Sequence, residues 1–271
     1  MSTWRPVLAA LILTSLLTPP ASAQVASFGD EDQPLEILAD QGIEWRRDER
    51  LYIARGNAVA TQGDVSVRAD LLRARYSGAG DSGDITQIEA VGNVRITSPD
   101  AQVFGQRGTY DVPRDVMRMT GEGLRLESAE DVVTAEDSLE YRPSERLAIA
   151  RGRAQVERFD RAAGTSNLLR ADVLEATFAE GGQALEVVDA TDNVEVLTPC
   201  EYVAADRGRY LVAEQLATME GNVRITRGSN QLNGEQAVVN LETGISRLTG
   251  GRVSGLLVPD SRTEATNDEC R

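Results

Sequence analysis

The sequence predicts an all-β protein, a single elongated domain made of about seven stacked repeats of short strands. Two short motifs alternate along most of the 271 residues, and within them apolar and polar side chains alternate with a period of two. That period is typical of strands that bury one face. Val, Ile and Thr, which favour strands, are frequent in the same runs.

The first motif is a Gly-Asn-Val-x-Ile core, which is complete at Gly92 and again at Gly221. Degenerate copies recur at intervals of 29 to 40 residues, and the longest intervals contain loop-like insertions at 77–84 and 158–166. The equivalent residues of the seven copies are Ala58, Val94, Leu124, Ala154, Val194, Val223 and Val253.

A second motif lies between the copies of the first. In its clearest form it is an Ala-Asp pair followed by strand-like residues that end at an aromatic side chain, as in Ala69-Asp70 to Tyr76. Copies of this block occupy 69–76, 105–110, 135–141, 171–178, 205–210 and 234–239.

Each repeat therefore contains two or more short strands separated by polar turns. Helical repeats such as ankyrin have similar lengths, but the i, i+3, i+4 apolar spacing of helices is nearly absent. One repeat cannot bury its apolar face alone, so the repeats must stack. We expect one domain over 35–258, with flexible segments at 24–34 and 259–271.

Residues 1–23 have the pattern of a secretory signal peptide. Arg5 precedes an apolar run over 7–17, two prolines follow, and Ala21-Ser22-Ala23 forms a small-residue cleavage site. The run of about 11 residues is too short to span a bilayer, which needs roughly 20. We therefore expect a cleaved signal and an extracytoplasmic mature chain.

The composition excludes several classes of function. The net charge is −15, which argues against nucleic acid as a partner because phosphate binding depends on an excess of cations. The chain has no His, and all 28 of its cationic residues are Arg. It therefore lacks the residues for Ser-His-Asp triads, His-based zinc sites and Walker A phosphate loops. We expect a protein that is not an enzyme, with no catalytic, metal or cofactor site.

The inward strand positions are filled mainly by Val, Ile, Leu and Ala, since only 4% of the residues are aromatic. Space lined by small aliphatic side chains suits flexible alkyl chains, because each buried methylene contributes about 0.8 kcal/mol. The alternative, which periodicity alone favours, is that these side chains only pack against one another.

Together, the Gly-Asn-Val-x-Ile core, the Ala-Asp block and the export signal resemble the OstA-like family of lipopolysaccharide-transport proteins over about residues 35–255. This family includes LptA, LptC and the N-terminal domain of LptD, and LptA fits best because we expect a cleaved signal and no anchor. The resemblance implies an elongated, twisted β-jellyroll of antiparallel strands, open at both ends. It also implies a periplasmic protein that shields lipid A acyl chains in an apolar groove and bridges the inner and outer membranes for outer-membrane assembly. The repeat region here is longer than the family's minimal module.

The partners implied by the resemblance are lipopolysaccharide, inner-membrane LptC-like and outer-membrane LptD-like OstA modules, and further copies of the chain joined head to tail. The lipid-binding groove is expected to use alternating apolar positions of the first motif. These are Val94, Ile96, Leu124, Leu126, Val156, Val194, Val196, Val223 and Ile225.

Cys200 and Cys270 are the only cysteines of the chain. In an oxidising compartment such a pair predicts one disulfide, which would attach the C-terminal tail to the domain. The alternative is that Cys270 lies in a mobile tail.

Two functions of other classes stay open at this point. One is a structural β-solenoid or adhesin without a lipid ligand. The other is a secreted polysaccharide-active β-helix enzyme, for which Glu130-Asp131 or Glu136-Asp137 would supply paired carboxylates. Arginines also cluster at 46–55 and 68–75, and we expect most of them to be solvated or paired with nearby acids rather than to contact lipid phosphates.

Overall fold

The computed structural model describes residues 34–78, 83–161, 164–181, 184–240, 243 and 245–258. The predicted signal peptide over 1–23, the segment before Pro34, the tail from residue 259 and Cys270 lie outside the described residues. Within the part of the chain that the structure describes, no helix has the length and apolar character needed to cross a membrane.

The described residues form one antiparallel sheet of 18 strands, which confirms the predicted all-β class. A short 3-10 helix, Pro143–Glu145, precedes β11. The strands are β1 (Glu36–Leu38), β2 (Ile43–Arg46), β3 (Leu51–Gln62), β4 (Val65–Tyr76), β5 (Ile85–Thr97), β6 (Ala101–Asp111), β7 (Val116–Thr120), β8 (Arg125–Ser128), β9 (Asp131–Thr134), β10 (Ser138–Arg142), β11 (Leu147–Asp160), β12 (Thr165–Phe178), β13 (Leu185–Leu197), β14 (Tyr202–Leu211), β15 (Leu216–Arg227), β16 (Asn230–Asn240), β17 (Ile245–Thr249) and β18 (Ser254–Leu256).

The sheet is a meander of fourteen stacked rungs. Four rungs consist of two short strands on either side of a break, namely β1 with β2, β7 with β8, β9 with β10, and β17 with β18. Each of the other ten rungs is one long strand whose pairing register shifts near its middle. We number the rungs 1 to 14 in chain order.

The bend, here called the corner, divides every rung into two halves. Arm A contains β1, β8, β9 and β18 together with the matching halves of the long strands. Arm B contains β2, β7, β10 and β17 together with the other halves. Because the chain reverses at each turn, odd-numbered rungs run from arm A to arm B and even-numbered rungs run back.

Two consecutive residues with positive φ produce the corner in six of the seven even-numbered rungs. Gly92 and Asn93 have φ angles of 81° and 47°, and Gly221 and Asn222 have φ angles of 78° and 48°. Glycine adopts this conformation at no steric cost, and asparagine visits it more readily than most residues. The Gly-Asn pair of the first motif is therefore the residue pair that bends the strand.

A side-chain clamp ties each corner asparagine to the preceding rung. The amide Nδ2 of Asn222 donates a hydrogen bond of 2.9 Å to Oδ2 of Asp206, and on rung 8 Arg153 replaces the asparagine and bonds Glu136 at 2.6 Å. The acceptor always belongs to an Ala-Asp or Ala-Glu pair, so the two sequence motifs are the two sides of one contact. The remaining clamps, at 2.8–2.9 Å, join Asn57 to Asp40, Asn93 to Asp70 and Asn193 to Asp172.

The clamps group the rungs in pairs, because each one runs from an even-numbered rung back to the odd-numbered rung before it. Two pairs have no such bond. In these pairs Gln106 and Glu235 take the place of the acid, and each lies beside a corner glycine, Gly121 and Gly251 respectively. Fourteen rungs are therefore seven complete pairs, in agreement with the predicted seven repeats.

A longer internal repeat of about 100 residues is superimposed on the pairs. The same turn hydrogen bond occurs from Val112 to Thr86 at 3.1 Å and from Val212 to Glu186 at 3.0 Å. Rungs 1–6 (36–128) form an N-terminal unit, rungs 7–12 (131–227) form a C-terminal unit, and rungs 13 and 14 begin a third copy. Other residues 100 positions apart that occupy equivalent places are Val94 and Val194, Gly108 and Gly208, Tyr110 and Tyr210, and Met119 and Met219.

The apolar side chains point into the angle between the arms and form two clusters, one in each unit. Leu139 packs against both clusters. The arms touch at the corner, because a methyl group added to Gly108 in arm B would lie 3.5 Å from Cγ1 of Val94 in arm A. The packed core therefore follows the corner through both units.

Candidate lipid-binding trough

Arm A carries one continuous apolar row on its inner face. Its members are direct cross-strand partners on thirteen successive rungs, and we call them the A row. The outward-facing neighbours are mostly polar, with arginine at 68, 95, 125, 170 and 224. From rung 1 to rung 13 the A row consists of Ile37, Ala60, Val67, Ile96, Val103, Leu126, Val133, Val156, Leu169, Val196, Val203, Ile225 and Leu232.

Arm B supplies the opposite wall. Its deeper inner row, which includes Ala90, Gly108 and Met119, packs at the corner. A second row lies two residues further from the corner, and we call it the B row. From rung 1 to rung 13 the B row consists of Trp45, Tyr52, Ala74, Ile88, Tyr110, Met117, Tyr141, Ala148, Ala176, Val188, Tyr210, Ala217 and Val239.

The angle between the A row and the B row is a trough with apolar walls. It follows the whole length of the sheet, because both rows pass from rung to rung without interruption. Strands alternate inward and outward side chains, so the same backbone places polar residues on the outer face. Such a surface can hold alkyl chains and offers them few polar groups.

Aromatic rings occupy the start of the B row. The Trp45 and Tyr52 rings stack with centroids 5.5 Å apart, and Nε1 of Trp45 donates a hydrogen bond of 3.0 Å to the hydroxyl of Tyr76. The corresponding place in the C-terminal unit holds Tyr141 and Phe178, whose rings meet edge to face at 6.3 Å.

The structure divides the nine predicted groove residues into two groups. Four of them lie at the corner, where they are packed and only 1–2% exposed: Val94, Leu124, Val194 and Val223. The other five belong to the A row: Ile96, Leu126, Val156, Val196 and Ile225. Of these five, only Ile225 is buried. The A-row residues are therefore the ones placed to meet a ligand.

The sequence did not identify the B row as a second wall. Its members lie in the second motif and beside the turns, where small and aromatic residues alternate irregularly. The available signal was the common spacing of 100 residues between Tyr110 and Tyr210 and between Gly108 and Gly208.

Three of the seven clustered arginines, Arg46, Arg55 and Arg73, form ion pairs with acids among the described residues. Nε of Arg46 donates to Oε1 of Glu44 at 2.7 Å, and Arg73 donates to Glu89 at 2.9 Å. The bond from Arg46 holds the pKa of the Glu44 carboxyl below its usual value. These arginines therefore bind neighbouring acids of the protein's own surface.

Arg158 differs from these arginines, because it lies on the inner side of arm A at the mouth of the trough. It follows the A-row residue Val156 by two positions in β11. Its Nε and Nη2 atoms donate to the two carboxylate oxygens of Asp131 at 2.7 and 2.9 Å, which raises the pKa of the guanidinium. It also interacts electrostatically with Tyr210 of the B row. The Arg158 side chain remains 53% exposed.

Two concave surfaces, of about 770 and 400 Å³, lie on the polar outer side of the corner. The larger is lined by clamp residues such as Asn193 and Asp206, and the smaller by Asn57. Their walls are too polar for an acyl chain, and their lining residues include no aromatic ring on which a sugar could stack.

The remaining predicted residues lie outside the trough. Asp131 and Glu136, from the two candidate acid pairs, each hold an arginine in an ion pair. Cys200 lies in the turn before β14, where its amide donates to Oγ1 of Thr198 at 3.4 Å. Its predicted partner is not among the described residues, so the disulfide stays a prediction.

Residues 36–147 and again 137–245 match the profile of the LptA/LptD N-terminal domain family, described as LPS transport proteins. The chain belongs to this family. The predicted OstA-like resemblance is thereby confirmed, and the two matches to the LptA/LptD N-terminal domain family begin where the two structural units begin, within a few residues.

Among solved structures, the chain is similar to LptH of Pseudomonas aeruginosa, described as the LptA homologous periplasmic component of the conserved lipopolysaccharide transport device. The two share 11% identity, with a TM-score of 0.21, and the match covers 85% of this chain and 99% of that chain. No curated protein matches the chain.

Proposed function

We propose that this member of the LptA/LptD N-terminal domain family is a periplasmic carrier of lipopolysaccharide that shields lipid A acyl chains between the A row and the B row. The observation that carries the proposal is the continuous A row, which presents apolar side chains on thirteen successive rungs of a protein from an LPS transport family. The predicted signal peptide supports a periplasmic location.

Burial of alkyl chains is the energetic basis of this binding. Each methylene transferred from water contributes about 0.8 kcal/mol, so one acyl chain gains on the order of 10 kcal/mol before the costs of ordering are subtracted. The wall must therefore be apolar and long, whereas a precise polar site is unnecessary. The A row meets both requirements.

The second part of the proposal is that the chain bridges the membranes by pairing end to end with OstA modules. These modules are further copies of the chain and the LptC-like and LptD-like proteins of the inner and outer membranes. Fourteen rungs are separated by thirteen intervals of about 4.8 Å, so the sheet spans roughly 62 Å. Rung 1 runs from arm A to arm B and rung 14 runs back, so a copy added at either end continues the antiparallel order.

The two ends also match in composition. Exposed apolar side chains are concentrated on the terminal rungs, with Leu38 and Ile43 at one end and Ile245 and Leu256 at the other. Unpaired strand edges readily add further strands. Because the clamps lie within pairs, such a junction would reproduce an internal boundary between pairs and leave no clamp residue without its partner.

Displacement of a hydrophobic fluorescent probe by lipopolysaccharide tests the first part of the proposal. We expect displacement at micromolar protein, and Val156→Asp, which places a charge in the trough wall, should reduce it at least tenfold. Gln155→Asp is the matched control, since Gln155 is the outward-facing neighbour in the same strand. Absence of displacement by the unmodified protein would instead support a structural protein without a lipid ligand.

Photo-crosslinking in the cell envelope provides a second test. A photoreactive residue at position 196, in the A row, should crosslink to lipopolysaccharide. The same residue at position 195, on the outer face, should not. Equal crosslinking at the two positions would contradict a ligand between the arms.

A further inference from the structure

The A row is not equally covered along its length. Val103 on rung 5 and Val203 on rung 11 are buried, with 6% and 8% exposure. Between them lies an unbroken window of partly exposed residues on rungs 6 to 10, about 19 Å long at 4.8 Å per rung. The window consists of Leu126, Val133, Val156, Leu169 and Val196.

The side chains of the B row are larger in the N-terminal half of the sheet than in the C-terminal half. From rung 1 to rung 7 its members are bulky except for Ala74, whereas from rung 8 to rung 13 they are Ala or Val except for Tyr210. The exchange is clearest at equivalent positions of the two units, where Ala148 stands for Tyr52 and Ala217 stands for Met117.

The N-terminal half of the trough is filled by its own side chains. Tyr110 and Met117 of the B row pack against the cluster that contains Ala60 and Val67 of the A row. Ala60 and Val67 are each 8% exposed. Both groups therefore belong to the packed core of the N-terminal unit.

The C-terminal half of the trough is less filled. On rungs 8 to 10 the exposed window lies on the same strands as three small B-row residues, Ala148, Ala176 and Val188. In this half Val156 and Leu169 replace Ala60 and Val67, and they are less covered even though they are larger.

We infer that the acyl chains of the lipid bind in the C-terminal half of the trough, between the exposed window and the small B-row residues, with a phosphate of the lipid held at Arg158. This inference rests on the proposed function and specifies which part of the trough is used. Arg158 can fork onto a phosphate because guanidinium N–H donors match two oxygens at once. Its half-exposed position at the mouth leaves it accessible while it retains Asp131.

One pair of substitutions tests the position of the acyl chains by using the N-terminal unit as the template for the C-terminal unit. Ala217→Met copies the residue at position 117 and fills the space that alanine leaves in the C-terminal half of the B row. We expect it to weaken lipopolysaccharide binding about tenfold, corresponding to 1.4 kcal/mol. Thr218→Met, on the outer face of the same strand, should leave binding unchanged, and circular dichroism verifies that both variants fold.

Crosslinking distinguishes this inference from the proposed function itself. A photoreactive residue at position 169 should capture lipopolysaccharide, whereas the same residue at its N-terminal counterpart, position 67, should not. Equal capture at both positions, or unchanged affinity in Ala217→Met, overturns the C-terminal location while the carrier function stands. Failure of the unmodified protein to bind lipopolysaccharide overturns both.

The role of Arg158 is tested with two lipids. Arg158→Gln should weaken binding of lipid A about tenfold and leave binding of dephosphorylated lipid A unchanged. A similar loss for both lipids would show that Arg158 only supports the fold through Asp131 and would remove the phosphate from the proposal.

Discussion

Each corner asparagine combines two properties. Each adopts a positive φ, and each donates a side-chain hydrogen bond to the acid of the preceding rung. Glycine would satisfy the first requirement alone. The clamp therefore stabilises the bend through a specific contact between two sequence motifs.

Asn222→Ala should lower the free energy of unfolding by about 2 kcal/mol, because it loses the bond to Asp206 and places alanine at a positive φ. Asn222→Gly should cost less, about 1 kcal/mol, since only the bond is lost. Urea denaturation of the three proteins measures the difference. If the two variants are equally stable, the backbone conformation contributes nothing at this corner.

The phenol of Tyr202 provides a residue-level test by pH. Its hydroxyl donates a hydrogen bond of 2.9 Å to Oε1 of Glu195, which raises its pKa above the usual value of 10. The contribution of this bond to stability is present below pH 10 and is lost as the pH rises through the raised pKa. Glu195→Ala should move the titration midpoint of Tyr202, followed by NMR, back towards 10; an unchanged midpoint would assign the shift to burial.

At the level of residues, the sequence predicted which positions are inward and could not predict which of these are covered. Ile96 and Ile225 occupy the same place in two copies of the first motif, yet Ile225 is buried and Ile96 is partly exposed. The difference depends on the residue opposite in arm B, which is distant along the chain. Alternation along one strand carries no information about that residue.

At the level of elements, close packing between glycine and methionine joins the two arms. A methyl group added to Gly208 would lie 3.0 Å from Sδ of Met219 and 3.5 Å from Cγ1 of Val194. The same arrangement occurs at Gly108, with Met119 and Val94. At these two positions glycine allows the B strands to approach the corner closely.

Gly208→Val should destabilise the protein by 1–3 kcal/mol, because the added side chain overfills the space beside Met219. Removing the obstacle in the double variant with Met219→Ala should restore about half of that loss or more. Thermal unfolding of the single and double variants measures the coupling. Additive losses would mean that the two side chains do not compete for the same space.

The strand order could be predicted from the sequence because each turn is short and local. The sequence could not predict that four of the rungs are each divided into two short strands. In rung 6, Gly121 and Gly123 replace the Gly-Asn pair, and the corner becomes a loop between β7 and β8. The degenerate motif there gave its position but not the form of the bend.

At the level of the whole molecule, the exposed edges decide whether the chain remains alone. We expect concentration-dependent association, because among the described residues the terminal strands pair on one side only and carry exposed apolar side chains. Leu256→Lys, at the edge of β18, should shift sedimentation towards the monomer. Val238→Lys is the control, since Val238 is also exposed but lies on rung 13 inside the sheet. Equal effects of the two variants would contradict association through the edge.

The sequence predicted seven repeats and one elongated sheet, and it missed the longer repeat of about 100 residues. The shorter motif recurs every 30 to 40 residues and hides the longer period, which appears only when Val94, Gly108 and Met119 are compared with Val194, Gly208 and Met219.

The position of the clamps has a consequence for how proteins of this architecture change length. A hairpin that brings its own asparagine and its own acid can be inserted or deleted without breaking the bonds of its neighbours or reversing any strand. Insertion of a single rung would leave one clamp residue without its hydrogen-bond partner. It would also reverse the direction of every later strand. We therefore expect natural relatives to differ in reach by whole hairpins, so that evolution adjusts the span in steps of about 10 Å.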